Sequence, residues 1–502
     1  MKITEKLKSF PKDSTEYKTL HAYLKKYQDQ EVVFIRVPAR INLLGTHIDH
    51  RGGYLNYLSI DKEFFCVAGK RKDRKVAFFD VKTELYAEGE FDIDKELPNR
   101  PTDWLTYIRQ VKIIPGDYSN YIKSAILYLQ NHFHQKNLSG MNLAFYGDIP
   151  VGAGLSSSSA VVVAVMLSTV LLNNLDIEKG ALSEMCGKAE WYVGTRGGCG
   201  DHAAMLFGKK NQIAHIRFFP FSIEYLPFPE NYRIISCNSL VEAKKSMGAK
   251  NIFNERIVNY EIGFRLIKKN FPELAPKLSY LRDINPKNLG SEKLIYEILL
   301  SLPETIRRKD IIKELPEENL DFFFESHIEP ASGYRLRDAV MFGITECERS
   351  RICSKFLKNM DIDTFGKLMF ISHDGDRIVN HLPDGKIIKK TYSVDNAHLK
   401  ELIKYSESSD PSLREESKLF KQPGAYRCST EELDFIVDTV KPLKGVKGAK
   451  LTGAGLGGTV LILVEKDQAD NVMDVLSERY YKLKGLKESA FVCVSVDGAG
   501  EI

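Results

Sequence analysis

The run Gly147-Asp148-Ile149-Pro150-Val151-Gly152-Ala153-Gly154-Leu155-Ser156-Ser157-Ser158-Ser159-Ala160 constrains this chain more than any other, because it passes without a break into Val161-Val162-Val163-Ala164-Val165-Met166-Leu167. The preceding Met141 to Tyr146 alternates apolar and polar residues like a strand, so the local order is strand, Gly/Ser loop, helix. That order builds an anion site. Glycines let the backbone turn so that successive N–H groups point inward. The serines bring hydroxyls and unpaired amides to a helix N-terminus, where the dipole favours phosphate. A plain capped turn needs one serine and one or two glycines, and four consecutive serines exceed that requirement. The loop has no closing Gly-Lys-Ser/Thr and lacks the Gly-x-Gly-x-x-Gly spacing, so it is neither a Walker A loop nor a dinucleotide fingerprint.

With 502 residues, 43% of them hydrophobic, the chain has material for a sizeable core and for two to four domains. A net charge of +4 with 27% charged residues gives no case for nucleic acid or an acidic membrane as partner. The eight cysteines are scattered, with no Cys-x-x-Cys pair and no Cys/His cluster at zinc spacing, and are expected to be reduced and mostly buried. The polar N-terminus has no apolar signal core, and the longest apolar run, near Val161 to Leu172, is interrupted by Ser168 and Thr169. A cytoplasmic location without membrane spans is expected.

Residues 1–30 suggest an amphipathic helical lead-in, and Val32 to Val37 a strand. Then Pro38-Ala39-Arg40-Ile41-Asn42-Leu43-Leu44-Gly45-Thr46-His47-Ile48-Asp49-His50-Arg51-Gly52-Gly53-Tyr54 packs Arg, His and Asp beside glycines at a density that suggests a site. Further on, Cys186 to Gly194 leads into Gly197-Gly198-Cys199-Gly200-Asp201-His202-Ala203, where Asp201 stands at the start of a helix. A third glycine-rich bend, Gly448-Ala449-Lys450-Leu451-Thr452-Gly453-Ala454-Gly455-Leu456-Gly457-Gly458, precedes the apolar Thr459 to Val464. Taken alone, each of these segments has an ordinary reading as a turn, an N-cap or tight packing.

In order along the chain, the three motifs resemble those of the galactokinase, homoserine kinase, mevalonate kinase and phosphomevalonate kinase (GHMP) superfamily, and the 38–54 segment is similar to the sugar-binding signature of its galactokinases. The similarity covers roughly 30–260 and 335–470. It implies an α+β fold of two domains, the N-terminal one of the ribosomal S5 domain 2-like type and the C-terminal one ferredoxin-like. The expected division is 1–30 as lead-in, 31–225 as N-terminal domain and 226–502 as C-terminal domain, with insertions near 270–333 and 377–424.

Carried over residue by residue, Arg40 takes the place of the family's transition-state arginine and Asp201 that of its catalytic proton acceptor, with the family's Ile-Met pair absent before it. His47 and Asp49 match sugar-hydroxyl ligands. Glu190 lies close to the spacing of the magnesium-binding Glu, so Ser158 and Glu190 would hold Mg²⁺, while Gly152, Ala153, Gly154, Leu155, Ser156, Ser157 and Ser158 would cradle the triphosphate of ATP. Departures stand at Ala39, Thr46, Ile48 and His50, and Phe253 replaces a Tyr whose hydroxyl touches sugar.

The resemblance thus implies an ATP- and Mg²⁺-dependent sugar 1-kinase, with Thr46, His47, Asp49, His50 and Phe253 around the sugar. Thr46 replaces a Glu that accepts from the sugar's C6 hydroxyl. Two like charges about 4 Å apart cost on the order of 4 kcal/mol at an effective dielectric near 20, so that Glu would reject a C6 carboxylate and Thr would not. His50 or Arg51 would supply positive charge. The plant-type galacturonokinase version of the segment, with Ala at this position, is similar. Galacturonate is therefore favoured slightly over galactose. L-Arabinose and a catalytically silent sugar- and ATP-binding sensor are the alternatives, and either a monomer or a dimer is compatible with the sequence.

Overall fold

The computed structural model describes residues 1–82, 87–194, 197–241, 247–392 and 394–502. Strands β1 (Val32–Leu44) and β2 (Tyr54–Lys70) form a long antiparallel pair with register shifts at Pro38/Ala39 and Asn42/Leu44. Alternation along β1 sends Ile35, Val37, Ala39, Ile41 and Leu43 into the main apolar core, and Arg40 and Asn42 to the opposite face. That opposite face carries the site. Strands β3 (Lys75–Asp80), β4 (Gly89–Asp92) and β5 (Met141–Gly147) extend the sheet in the order β1-β2-β5-β3-β4, while β6 (Gln212–Arg217) pairs with the start of β2 and β7 (Ser222–Pro227) with β6. Every pair is antiparallel except β3 with β5.

Helix α1 (Ser119–His132) leads into β5, and the phosphate-type loop then opens helix α2 (Ser157–Leu172). Helix α2 is apolar on nearly all sides, and it is buried accordingly between the sheet, α1 and α3 (Lys179–Glu190). Helix α4 (Gly200–Phe207) packs against α3 and β1. Near the N-terminus, Thr15–Lys26 forms the expected helix, buries Leu20 and Tyr23 on the outer face of the sheet, and is capped by Ser14.

The second sheet has the order β9-β10-β8-β11, built from β8 (Tyr232–Asn238), β9 (Val446–Thr452), β10 (Thr459–Glu465) and β11 (Ala490–Val492), and it is antiparallel throughout. Strand β10 is apolar at every interior position because both its faces are covered. Val460, Ile462 and Val464 meet one cluster with the helices Glu431–Val440 and Ala469–Leu476, whereas Leu461 and Leu463 enter the main core shared with the first sheet. Strand β12 (Gly500–Glu501) returns to the edge of the first sheet beside β1.

Helix α5 (Met247–Asn270), helix α6 (Leu336–Lys358) and helix α7 (Ile362–Asp376) connect β8 to the region of β9. The two segments read as insertions pack on each other. The helix Glu292–Leu300 lies against Asn396–Ser406, the Tyr296 hydroxyl donates to the Ser417 carbonyl at 2.5 Å, and both share an apolar cluster with α5 and α6. All eight cysteines are free and buried, and among the described residues no helix is long and apolar enough to cross a membrane.

Candidate active site

Three residues of the loop, Gly152, Gly154 and Ser156, have φ of +72°, +75° and +60°, so the chain folds back on itself just before α2. Successive amides then face one side, and the N-terminus of α2 stands open beside them. The third glycine-rich bend packs directly on this loop. A Cβ placed at Gly154 would lie 2.8 Å from the Thr452 carbonyl oxygen, and one at Gly453 would lie 2.8 Å from the Gly154 carbonyl oxygen. Only glycine allows both backbones to approach so closely.

Arg40 enters this corner from β1 with its side chain 2% exposed. Its Nε donates to Asp201 Oδ1 at 2.7 Å and its Nη2 to Oδ2 at 2.6 Å. Nη1 donates to the Gly154 carbonyl at 2.9 Å, and Nη2 also meets the Ser156 hydroxyl. Ser156 Oγ in turn donates to Asp201 Oδ2 at 2.5 Å, and the Tyr57 hydroxyl donates to Oδ1 at 3.1 Å. Burial works to raise the Asp201 pKa, but the Arg40 charge, the Arg40 hydrogen bonds and Ser156 outweigh it, and the carboxyl sits well below its ordinary range. Its side chain keeps 32% exposure, so the ionised group still faces the cleft. Burial together with the Asp201 charge pushes the Tyr57 hydroxyl well above its usual pKa and keeps it a donor.

Beyond β1 the chain turns at His47, whose φ is +65°, into the helical turn Asp49–Arg51. Asp49 Oδ2 accepts from the Gly200 amide at 3.3 Å and Oδ1 lies 2.9 Å from His50 Nδ1. A Cβ at Gly198 would overlap the Asp49 carboxylate, which explains the glycine at that position. Burial raises the Asp49 pKa, yet the hydrogen bond and charge of His50 bring it below the usual value. The His50 imidazole is pushed down, first by burial and then by Arg51. Arg51 itself is ion-paired with Glu261 of α5, so its charge is neutralised at that point.

The Thr46 hydroxyl is buried and accepts from the Lys450 ammonium, which also donates to the Leu451 carbonyl at 3.0 Å. The cation bonded to Thr46 is Lys450. Burial lowers the Lys450 pKa and the Glu346 charge opposes that shift. Glu346 Oε1 accepts from the Gly45 amide at 2.8 Å, the Thr46 amide at 3.2 Å and Ser372 Oγ at 3.0 Å, while Oε2 takes Arg349 Nε at 2.9 Å. His47 is stacked on the Tyr426 ring with centroids 4.4 Å apart. Phe253, on α5, is half-buried.

Glu190, at the end of α3, accepts from Ser159 Oγ at 3.0 Å and lies 2.8 Å from His202 Nε2. Ser159 is the serine bonded to Glu190; Ser158, expected beside it from the sequence, stands one residue earlier on the first turn of α2. Sequence reasoning also left out Tyr57, His202, Glu346 and Lys450. Tyr57 pairs with Asn42 across β1 and β2, and Ser59 pairs with Arg40, so its place beside Arg40 follows from the register once the pairing is known. Next to Asp49 and His50, a cavity of about 330 Å³ opens between Trp191, Ile257 and Val258, lined also by Phe322 and Phe323 of the first insertion.

An anion-binding loop, a carboxylate held ionised by a buried arginine, and a polar turn one residue from that carboxylate together suit phosphoryl transfer from a phosphoanhydride to a hydroxyl. Comparison with known proteins agrees with this arrangement. Residues 120–209 match the GHMP kinases N terminal domain, residues 394–482 the GHMP kinases C terminal domain, and residues 21–70 the galactokinase galactose-binding signature. A galactokinase of Fusobacterium nucleatum is 27% identical over 467 residues, 93% of this chain and 94% of that one. A galactokinase of Roseiflexus is 26% identical over 472 residues, 94% of this chain and 93% of that one. The crystal structure of Lactococcus lactis galactokinase complexed with galactose superposes with a TM-score of 0.69 at 21% identity, covering 96% of this chain and 98% of that one, and so shares its fold. The chain accordingly belongs to the GHMP kinase superfamily, with the two-domain fold of that superfamily and the sugar segment of its galactokinases.

Proposed function

We propose that the chain is an ATP-dependent sugar 1-kinase that transfers the γ-phosphoryl group of ATP to the anomeric hydroxyl of a galacto-configured sugar. The observation that carries this reading is the Arg40–Ser156–Asp201 network, which ties the phosphate-type loop to the base beside the sugar turn. Asp201, ionised and open to the cleft, accepts the proton of the attacking hydroxyl. Arg40 holds that carboxylate and stabilises charge that develops on the transferred group. The amides and hydroxyls from Gly152 to Ser158 hold the triphosphate. Glu190, with Ser158 or its neighbour Ser159, offers the oxygen ligands that Mg²⁺ prefers; when bound, the ion neutralises charge on the phosphates. The sugar contacts fall to Thr46, His47, Asp49, His50 and Phe253. We assign 31–225 and 226–502 to the two kinase domains, and 1–30 to the lead-in.

The finer reading concerns C6. The named relatives favour galactose, whereas the Thr46–Lys450 pair favours an acid, because position 46 itself carries no charge and the Lys450 ammonium on its hydroxyl offsets Glu346 behind it. We place galacturonate slightly ahead of galactose. The test is ADP release by the purified chain with Mg-ATP and galactose, galacturonate, glucuronate, L-arabinose or N-acetylgalactosamine, with Asp201→Asn in parallel. Turnover on a galacto-configured sugar that the variant loses is the expected result. Thermal stabilisation by sugar with no turnover on any of them would replace the kinase with a sensor, and equal rejection of every C6 acid would end the uronate version.

A further inference from the structure

We propose that His47, Asp376 and Cys428 form a zinc site that fastens the sugar turn to the C-terminal half of the chain. His47 belongs to the turn after β1, Asp376 is the last residue of α7, and Cys428 lies in the extended stretch before helix Glu431–Val440. Three such ligand atoms lie within 4.8 Å of one another. All three side chains are out of water: His47 is 2% and Asp376 0% exposed at the side chain, and Cys428 is fully buried.

Two of the atoms lack the hydrogen bonds that burial demands. His47 Nε2 and Asp376 Oδ2 are both buried with no hydrogen-bond partner. A buried carboxylate oxygen and a buried ring nitrogen in that state are costly unless a cation or donor lies between them. His47 Nε2 stands 3.4 Å from Asp376 Oδ1, longer than the ~2.7–3.2 Å of an N–H···O bond. The edge of a tetrahedron is about 1.6 times its centre-to-corner length, so metal–ligand bonds of about 2.0–2.1 Å set two ligand atoms about 3.4 Å apart. The observed separation, measured to the carboxylate oxygen beside the unpartnered one, fits two ligands of one ion.

The surroundings orient the ligands. Tyr426 stacks on the imidazole at 4.4 Å and Phe342 lies 5.9 Å away, which fixes the ring and keeps out water. The Cys428 amide donates to Asp376 Oδ1 at 3.3 Å, so the carboxylate is held by the backbone of the third ligand. His47 keeps a left-handed backbone at φ +65° to present its ring there. One thiolate, one imidazole and one carboxylate suit Zn²⁺ with its fourth position open, and they do not suit Mg²⁺, which prefers oxygen alone. The site is separate from Glu190; with His47 Nε2 on the ion, only Nδ1 of that ring is left for the sugar contact proposed for His47 above.

The experiment uses the full chain expressed with added zinc and dialysed without chelator. Elemental analysis is expected to give about one zinc per chain, and protein stripped and reloaded with Co²⁺ is expected to show a thiolate-to-cobalt charge-transfer band. Cys428→Ser should abolish that band, and Asp376→Asn should lower metal content several-fold with the circular dichroism unchanged. Wild-type protein without stoichiometric zinc and without the cobalt band overturns the proposal, irrespective of how the variants fold. A band that persists in Cys428→Ser overturns it as well, because the ion is then bound elsewhere.

Discussion

Arg40 carries a charge that burial alone would not tolerate, and Asp201 is what makes it tolerable. Removing one partner of such a pair leaves an uncompensated buried charge, at about 3–5 kcal/mol, while replacing both with apolar groups is often neutral. Asp201→Asn is therefore expected to lower the urea midpoint clearly, and the double variant Arg40→Met/Asp201→Leu to be more stable than Asp201→Asn. The pH dependence has a definite sign. The folded Asp201 pKa lies below its unfolded value of about 3.9, so the pair's contribution is complete above that value and is lost as pH falls through the folded pKa. The gap between wild type and Asp201→Asn should hold from pH 7 to pH 5 and close below pH 4 or so. A gap that closes between pH 7 and pH 5 would show that Asp201 is not held ionised by Arg40. Lys450 allows a second test at this scale. If its ammonium sets the character of the C6 corner, Lys450→Met should reduce the ratio of kcat/KM for galacturonate over galactose by about tenfold or more; an unchanged ratio would leave Lys450 a purely structural partner of Thr46 and Glu346.

At the level of elements, the phosphate-type loop and the third glycine-rich bend act as one piece. Gly453 has φ +79° and no room for a Cβ against Gly154, whereas Gly152 has φ +72° and open space around it. Both positions carry the cost of a left-handed alanine, about 1–2 kcal/mol, and only Gly453 adds a backbone clash. Gly453→Ala is thus expected to raise KM for ATP and lower the thermal midpoint well beyond Gly152→Ala, as read by steady-state kinetics and a melting scan. Equal effects would mean that the close approach does not shape the ATP site. Much of this level was legible beforehand. The order strand, loop, helix around Gly147 to Leu167 follows from local pattern and glycine chemistry, and so does the apolar run of β10. What could not be read is pairing at long range. Nothing near Tyr57 or Lys450 in the sequence indicates that one faces Asp201 and the other Thr46, because those contacts span 144 and 404 positions. That Ser159 bonds Glu190 could not be read for a related reason: helical phase, fixed by the left-handed Ser156, decides which hydroxyl points to α3.

Across the whole molecule, the sugar turn is held from three directions by the other half of the chain. Glu346 of α6 takes the Gly45 and Thr46 amides, Glu261 of α5 takes Arg51, and Arg282 of the first insertion donates to the Gly52 carbonyl at 2.6 Å and to the Phe218 and Phe219 carbonyls. Sequence pattern marked 270–333 only as a charged stretch of helices and loops, since its bond to the turn spans 230 positions. In the fold it is a wall of the candidate site, with Phe322 and Phe323 lining the cavity beside Asp49. The turn's geometry then depends on the insertion, although the phosphate-type loop does not touch it through these bonds. Arg282→Met keeps much of the apolar stem and removes the donors, so it should free the turn and leave the loop in place. The expected outcome is a sugar KM raised about tenfold, with KM for ATP within a factor of about two and one cooperative unfolding transition. A variant that changes both KM values alike would show that the insertion supports the fold as a whole rather than the sugar turn. A variant that changes neither would return 270–333 to the status of a surface addition, because three carbonyl acceptors would then have lost their donor without moving the residues that are proposed to meet the sugar.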